Sequence, residues 1–289
     1  MNLPTSPTLV VPAADDIDFD RRFGGIARLY GAAGLERLRH AHVCVVGVGG
    51  VGSWVVEALA RSAVGAITMI DLDNLAESNI NRQIHALTDT LGQAKVSALH
   101  ARIRQINPRC QVTEIEDFLT AENIPSMVPP GRFDFVIDAI DDVRAKVALI
   151  AYCRTNKVPL ITIGSAGGQI DPTRIELRDL SRTEQEPLLA KVRKRLRSEH
   201  GFSRGSKNNF GIAAVFSSEP LRFPETEVCA VDGVAAVPDA VTGLNCAGFG
   251  SAMVVTASFG LIAAAHVLAK IAAGAAVLPE LPATAADEA

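Results

Sequence analysis

The chain has 289 residues, 48% of them apolar, with a formal net charge of −4. That length and apolarity fit one large folded domain and exclude an intrinsically disordered chain, while the mild acidity excludes a surface uniformly coated in nucleic-acid-binding charge but not a local basic patch. Five scattered cysteines with no CxxC pair fit reduced thiols in a cytoplasm, and neither disulfides nor zinc are expected.

Residues 1–18 lack a basic start and a continuous apolar stretch, so they read as a flexible tail and not a secretion signal. A single domain is expected over 19–270: N-terminal helices at 19–40, a nucleotide-binding core at 41–165, and a further lobe at 166–270. The Ala/Pro-rich residues 271–289 form a second tail. Within the first part, RRFGGIARLYGAAGLERLRH predicts two short helices between 20 and about 38. The run HVCVVG then predicts a strand, GVGGVG a turn and SWVVEALARSAV a helix, followed by a strand at AITMIDLD and a helix from about 93 to 105. QVTEIED, FDFVIDAID and PLITIG read as three more strands, with AKVALIAYCRTN as the helix between the last two. This alternation predicts an α/β fold with a doubly wound, mostly parallel, Rossmann-like sheet. QIDPTRIELRDL predicts an antiparallel C-terminal extension.

Residues 247–269 contain no charged side chain and are long enough to span a bilayer. Ser251, Thr256, Ser258 and His266, together with a lack of flanking aromatic or basic anchors, favour a long apolar C-terminal helix buried in the core or at a dimer interface over membrane contact.

The strand, glycine turn and helix order gives GVGGVG its chemical meaning. Gly47 permits the tight turn, Gly49 and its neighbour Gly50 bring backbone close to a phosphate, and Gly52 permits close packing at a helix N-terminus that carries partial positive charge. Asp71 ends the next strand 19 positions beyond Gly52, where an acid takes ribose hydroxyls, and Asp73 follows it. The glycines alone leave a dinucleotide and ATP open. Asn79, Arg82, Gln83 and Lys95, in the stretch NLAESNINRQIHALTDTLGQAK, offer donors to phosphates. Arg82 supplies a bidentate fork and Lys95 a point charge, a pairing suited to attack on an α-phosphate; the plainer alternative is a solvated polar loop. Asp138, Asp141 and Asp142 in VIDAIDDVRAK fall at the C-terminal edge of the sheet. Asp141 is the favoured Mg²⁺-side ligand, although an N-cap also explains Asp141 or Asp142.

GVGGVG, IDLD, NINRQ, GQAK and DAIDD occur in the order found in the adenylating enzymes of the ubiquitin-activating class, which the sequence resembles over roughly 40–165. The resemblance implies ribose binding by Asp71, phosphate contacts by Asn79 and Arg82, a catalytic lysine at Lys95 and a metal-side aspartate at Asp141, with ATP and Mg²⁺ as cofactors. RFGGIARLYG, NRQIHAL, RQINP, AYCRTNKVPL, GSAGGQIDPT and VFSSE are similar to the branch of bacterial tRNA threonylcarbamoyladenosine dehydratases, from about 20 to 270. This implies cyclisation of threonylcarbamoyladenosine in tRNA through an adenylate of the threonyl carboxylate, by a homodimer. A cysteine-desulfurase or sulfur-acceptor partner and a monovalent cation also fall within what the resemblance allows, and no residue selects either. Three rivals stand: an adenylyltransferase activating the Gly-Gly tail of a sulfur carrier, disfavoured by the missing CxxC pairs; an NAD-dependent oxidoreductase, disfavoured by Arg82, Lys95 and Asp141; and a nucleotide-sensing adaptor that binds ATP without turning it over. Arg22 and Arg28 are candidates for the arginine that many relatives send into a partner's site.

A tRNA substrate needs a cationic face, and residues 188–209 supply Lys191, Arg193, Lys194, Arg195, Arg197, Arg204 and Lys207 against one acid, Glu199. Leu189, Val192 and Leu196 fall at helical spacing, so the segment starts as an amphipathic helix; a solvated basic face is the bland alternative. Cys229 is the better candidate for a reactive thiol than Cys246, although an adenylate route requires no covalent enzyme intermediate. His85 and Trp54 read as packing or orienting residues.

Overall fold

The computed structural model describes residues 17–204, 208–223 and 249–274. Two short helices open the fold, α1 (Phe19–Tyr30) and α2 (Ala32–His40). Asp18 caps α1 by accepting from the Arg21 N–H, and Gly31 joins the two helices at φ 78°. β1 (His42–Val46), α3 (Gly52–Arg61), β2 (Ala66–Ile70), α4 (Lys95–Ile106) and β3 (Gln111–Ile115) form the first half of the sheet. The second half comprises α5 (Ile124–Met127), β4 (Phe135–Asp138), α6 (Val143–Thr155), β5 (Leu160–Ile163), β6 (Ile175–Asp179), α7 (Pro187–Glu199) and β7 (Ala213–Ser217), before the long α8 (Met253–Ala273).

The strand order is β3-β2-β1-β4-β5-β7-β6, parallel throughout except for the β6–β7 pair. The expected doubly wound sheet with an antiparallel extension is therefore present. Its switch point lies between β1 and β4, where the direction of strand addition reverses and the strand ends open a crevice. Alternation along buried strands sorts the core into two layers. Val43 and Val45 face α3, α4 and α8, whereas Cys44 and Val46 face α6 and α7.

α5 and β7 carry no strong signal of their own in the sequence. β7, AAVFS, is a short apolar run whose strand identity comes from pairing with β5 and β6. α8 begins later and ends later than its apolar run, and half of its most apolar window is buried. It packs along α3 and α2, and Gly260 is the reason it can lie so close: a Cβ there would sit 2.5 Å from the Val51 carbonyl oxygen. Arg37 donates its Nε to the Ala272 carbonyl at 2.8 Å and ties off the C-terminal end of α8.

Candidate active site

The ends of β1, β2, β4 and β5 surround a cleft of about 500 Å³. Gly47, Gly49, Gly50, Asp71, Asp73, Asn79, Arg82, Gln83, Lys95 and Asp141 all line it, so the structure brings together ten predicted positions from five separate segments. Gly52 does not line the cleft; it closes the turn behind it. A Cβ at Gly52 would lie 1.8 Å from the Gly47 carbonyl oxygen, and Gly47 itself sits at φ 83°. The turn thus collapses onto the first residue of α3, aiming a helix N-terminus at the cleft.

Asp71 holds this turn as well as facing the cleft. It accepts from the Val48 N–H at 2.7 Å and the Asp73 N–H at 3.0 Å. Burial pushes its carboxyl pKa up, opposed by Lys95 and by those two backbone donors. Lys95, at the first position of α4, is 6% exposed and reaches Asp73 Oδ2 at 2.6 Å and Asp71 Oδ1 at 3.9 Å. The cation is thereby desolvated and aimed by the acids that end β2.

Arg82 packs its stem against Gly50, where a Cβ would meet it at 3.2 Å, and donates to the Ser78 carbonyl and Asn81 Oδ1. Trp54 Nε1 donates to the Arg82 carbonyl at 2.9 Å, so the orienting role read for Trp54 has a concrete target. The Asn79 side chain accepts from the Ala76 N–H and fixes the 3-10 turn at Glu77–Asn79. Gln83 is 5% exposed and its Oε1 is buried without a hydrogen-bond partner, leaving an acceptor at the cleft wall. Both ring nitrogens of His85 are likewise buried and unpartnered, and burial drives its pKa down to about 3, aided by Lys95 and Arg102. His85 is a neutral packing residue.

Asp142 caps α6 by accepting from the Ala145 N–H at 2.8 Å. The N-cap explanation therefore belongs to Asp142, while Asp141 faces the cleft. Among the described residues no group of three or more His, Cys, Asp or Glu is placed to hold a metal ion. The hard carboxylate of Asp141 fits an ion carried mainly by nucleotide phosphates, the usual state of Mg²⁺.

The basic segment divides. In α7, Leu188, Leu189, Val192 and Leu196 are buried, as the spacing predicts. Lys191, Lys194 and Arg204 are exposed. Arg195 pairs with Glu199, Arg193 turns inward to donate to Thr183 Oγ1, and Arg197 lies 5.2 Å over the Phe210 ring and donates to the Ser203 carbonyl. The patch is thus narrower than its charge count. Lys207, Cys229 and Cys246 lie outside the described residues. Arg22 donates to the carbonyls of Gln105 and Ile106 at the end of α4, and neither it nor Arg28 lines the cleft.

Five residues have no counterpart among those singled out from the sequence. Asp117, Phe118 and Leu119 close the cleft from the loop after β3. Glu186 caps α7 and also accepts from the Ser165 N–H at 2.9 Å, tying that helix to the cleft wall. Lys146, fully buried in α6, pairs with Asp138 at 2.9 Å. A lysine inside the otherwise apolar run of α6 and an acid directly before a proline were the available signals.

A nucleotide cleft at the switch point of a doubly wound sheet defines a nucleotide-handling α/β protein. The ThiF family model matches residues 21–282, and the chain belongs to that family. It is 53% identical over 259 residues, 89% of this chain and 95% of the relative, to the tRNA threonylcarbamoyladenosine dehydratase of Escherichia coli (strain K12). A crystal structure of E. coli tRNA N6-threonylcarbamoyladenosine dehydratase, TcdA, in complex with ATP is similar with TM-score 0.78 and 49% identity, over 92% of this chain and 98% of that one. The same enzyme in complex with AMP gives TM-score 0.79 and 48% identity over the same shares.

Proposed function

We propose that this protein is an ATP-dependent dehydratase that cyclises threonylcarbamoyladenosine in tRNA through an adenylate. The observation that carries the reading is the convergence of Asp71, Arg82, Lys95 and Asp141 on one cleft behind the glycine turn, in a chain with half its residues in common with a named dehydratase. Asp71 takes ribose hydroxyls, while the turn and Arg82 take phosphate oxygens. A threonyl carboxylate oxygen attacks the α-phosphorus, and pyrophosphate leaves. The neighbouring carbamoyl group then attacks the activated carbonyl, closing a ring and releasing AMP, so the nucleoside loses one water overall.

Lys95 faces the negative charge that grows on the phosphate during attack, in a site where burial strengthens the interaction. Asp141 is the residue that would hold a nucleotide-borne Mg²⁺ on the protein side, and such an ion would supply further neutralisation of phosphate charge. Lys191, Lys194 and Arg204 are the outward charges that meet tRNA phosphates.

A homodimer fits the outward apolar side of α8, where Met253, Val254 and Leu261 are exposed. A cytoplasmic location agrees with the free, buried thiols of Cys44, Cys110 and Cys153. The decisive experiment is mass analysis of threonylcarbamoyl-tRNA after incubation with the protein, ATP and Mg²⁺. Loss of one water is the expected result. An unchanged nucleoside with ATP bound, or pyrophosphate exchange driven by a Gly-Gly-tailed carrier and indifferent to tRNA, defeats the proposal.

A further inference from the structure

Beneath the cleft floor, the ammonium of Lys146 is fully buried between two strand ends. It lies 2.9 Å from Asp138 Oδ2, 3.2 Å from Thr162 Oγ1, 3.0 Å from the Ile163 carbonyl and 3.4 Å from the Asp138 carbonyl. Thr162 in turn donates to Asp138 Oδ2 at 2.7 Å, and Asp138 Oδ1 accepts from the Ile140 N–H at 3.1 Å. An ammonium has three N–H donors, and these acceptors saturate them. Lys146 therefore has nothing left to offer a ligand.

What it does hold is the geometry of two walls. Asp138 holds the Ile140 N–H, directly before Asp141, and Ile163 leads directly into Gly164 and Ser165; Ala139, Ile140, Asp141, Ile163, Gly164 and Ser165 all line the cleft. β4 and β5 pair only through Asp138↔Thr162 at this end, so beyond that register the two loops have no sheet partner in each other. Burying an ion pair is a weak route to stability, because desolvation offsets the attraction. Its effect here is directional: one cation bridges Asp138, ahead of the Asp141 loop, and Ile163, ahead of the Ser165 loop, beside the backbone bonds that tie Ala139 to Val46 and Gly164 to Val215.

We propose that Lys146, with Asp138 and Thr162, is a positioning residue of the adenylation step, holding Asp141 opposite the Ser165 wall. The assignment rests on the cleft being the ATP site. The polar hub is the link to remove, and Thr162 allows it without a change of shape: Thr162→Val deletes the hydroxyl, and Thr162→Ser keeps it. Asp138→Asn/Lys146→Met removes both charges together and leaves neither one buried alone.

The test measures kcat and KM for ATP on threonylcarbamoyl-tRNA, with the ATP dissociation constant, all well below each variant's melting temperature. Thr162→Ser is expected to retain kcat within about twofold, whereas Thr162→Val and the double variant lose about tenfold or more in kcat with ATP affinity within about threefold, as displaced reacting groups predict. Amide hydrogen exchange of the free protein is expected to quicken at 139–142 and 164–166 in Thr162→Val and not in Thr162→Ser, whether or not ATP binds. Folded variants with wild-type kcat, or unchanged exchange at both loops, overturn the proposal. Failure of the unaltered protein to bind ATP, with the exchange pattern as expected, instead removes the reading of the cleft and leaves the hub a purely structural brace, which also overturns the catalytic role proposed for it.

Discussion

Lys95 Nζ stands 2.6 Å from Asp73 Oδ2, so the cation of the cleft is already held by a carboxylate of the preceding strand end. Lys95 is buried whereas Asp73 is more than half exposed, which lets Asp73 swing away while the lysine stays. On the proposed function, an incoming phosphate would replace one anionic partner by another with no new desolvation of the ammonium. Lys95→Ala is expected to lower turnover by about 10²–10³-fold, the scale for loss of a charge-stabilising donor. Asp73→Asn is expected to cost less than about tenfold, since it weakens aim and not charge. The rate of nucleoside conversion, followed by mass, checks both.

The glycine turn separates close approach from backbone strain. Gly52→Ala places a methyl 1.8 Å from the Gly47 carbonyl and is expected to abolish ATP binding and lower the melting temperature sharply. Gly92, unlike Gly52, has a positive φ, +82°, and a Cβ there meets nothing within 4 Å. Gly92→Ala therefore costs only the conformational strain, about 1–2 kcal/mol. Equal thermal shifts in the two variants, by calorimetry, contradict this assignment.

On α7, Lys191→Glu/Lys194→Glu is expected to weaken tRNA binding and flatten its dependence on salt, by about one unit of slope for each phosphate no longer neutralised. Arg193→Ala and Arg197→Ala are expected chiefly to destabilise the fold, because their head groups engage Thr183, Ser203 and Phe210. Binding titrations at several salt concentrations, beside thermal melts, distinguish these outcomes.

Acid stability is expected to follow His85. Burial depresses its folded pKa to about 3 from an unfolded value near 6.5, so the unfolded chain binds the extra proton between those pH values. Stability therefore rises with pH across that window, and is lost as pH falls from about 6.5 towards 3. His266, lowered to about 4 by burial and Lys270, acts in the same direction. His85→Phe is expected to flatten the pH dependence of the denaturation midpoint between about pH 4 and 6.5; an unchanged slope rules His85 out as its source.

The proposed dimer is expected to separate when Leu261, 46% exposed on α8, becomes Glu. Light scattering should then report about half the mass of the unaltered protein, and a monomeric unaltered protein refutes the interface.

The sheet was readable because parallel strands buried on both faces are short apolar runs, and HVCVV, AITMI, FVID and LITI are such runs. β7 was not, since AAVFS becomes a strand through its neighbours. The residues that line the cleft were legible because phosphate and ribose chemistry restricts which side chains suit a glycine turn. Lys146 and Glu186 were not, since a lysine within an apolar run and an acid before a proline mark a position without saying which distant group each will meet.

The alternation of strands and helices, the glycine turn and the polar residues downstream of it were determined by the sequence itself, through periodicity and through the few residue types that suit a nucleotide. Which charges face outward was decided by tertiary structure alone. Arg193 and Arg197 carry the same formal charge as Lys191 and Lys194, but packing gave the two arginines partners within the fold and left the two lysines to solvent. Linear sequence records the charge; only the folded surroundings determine whether it has already been used.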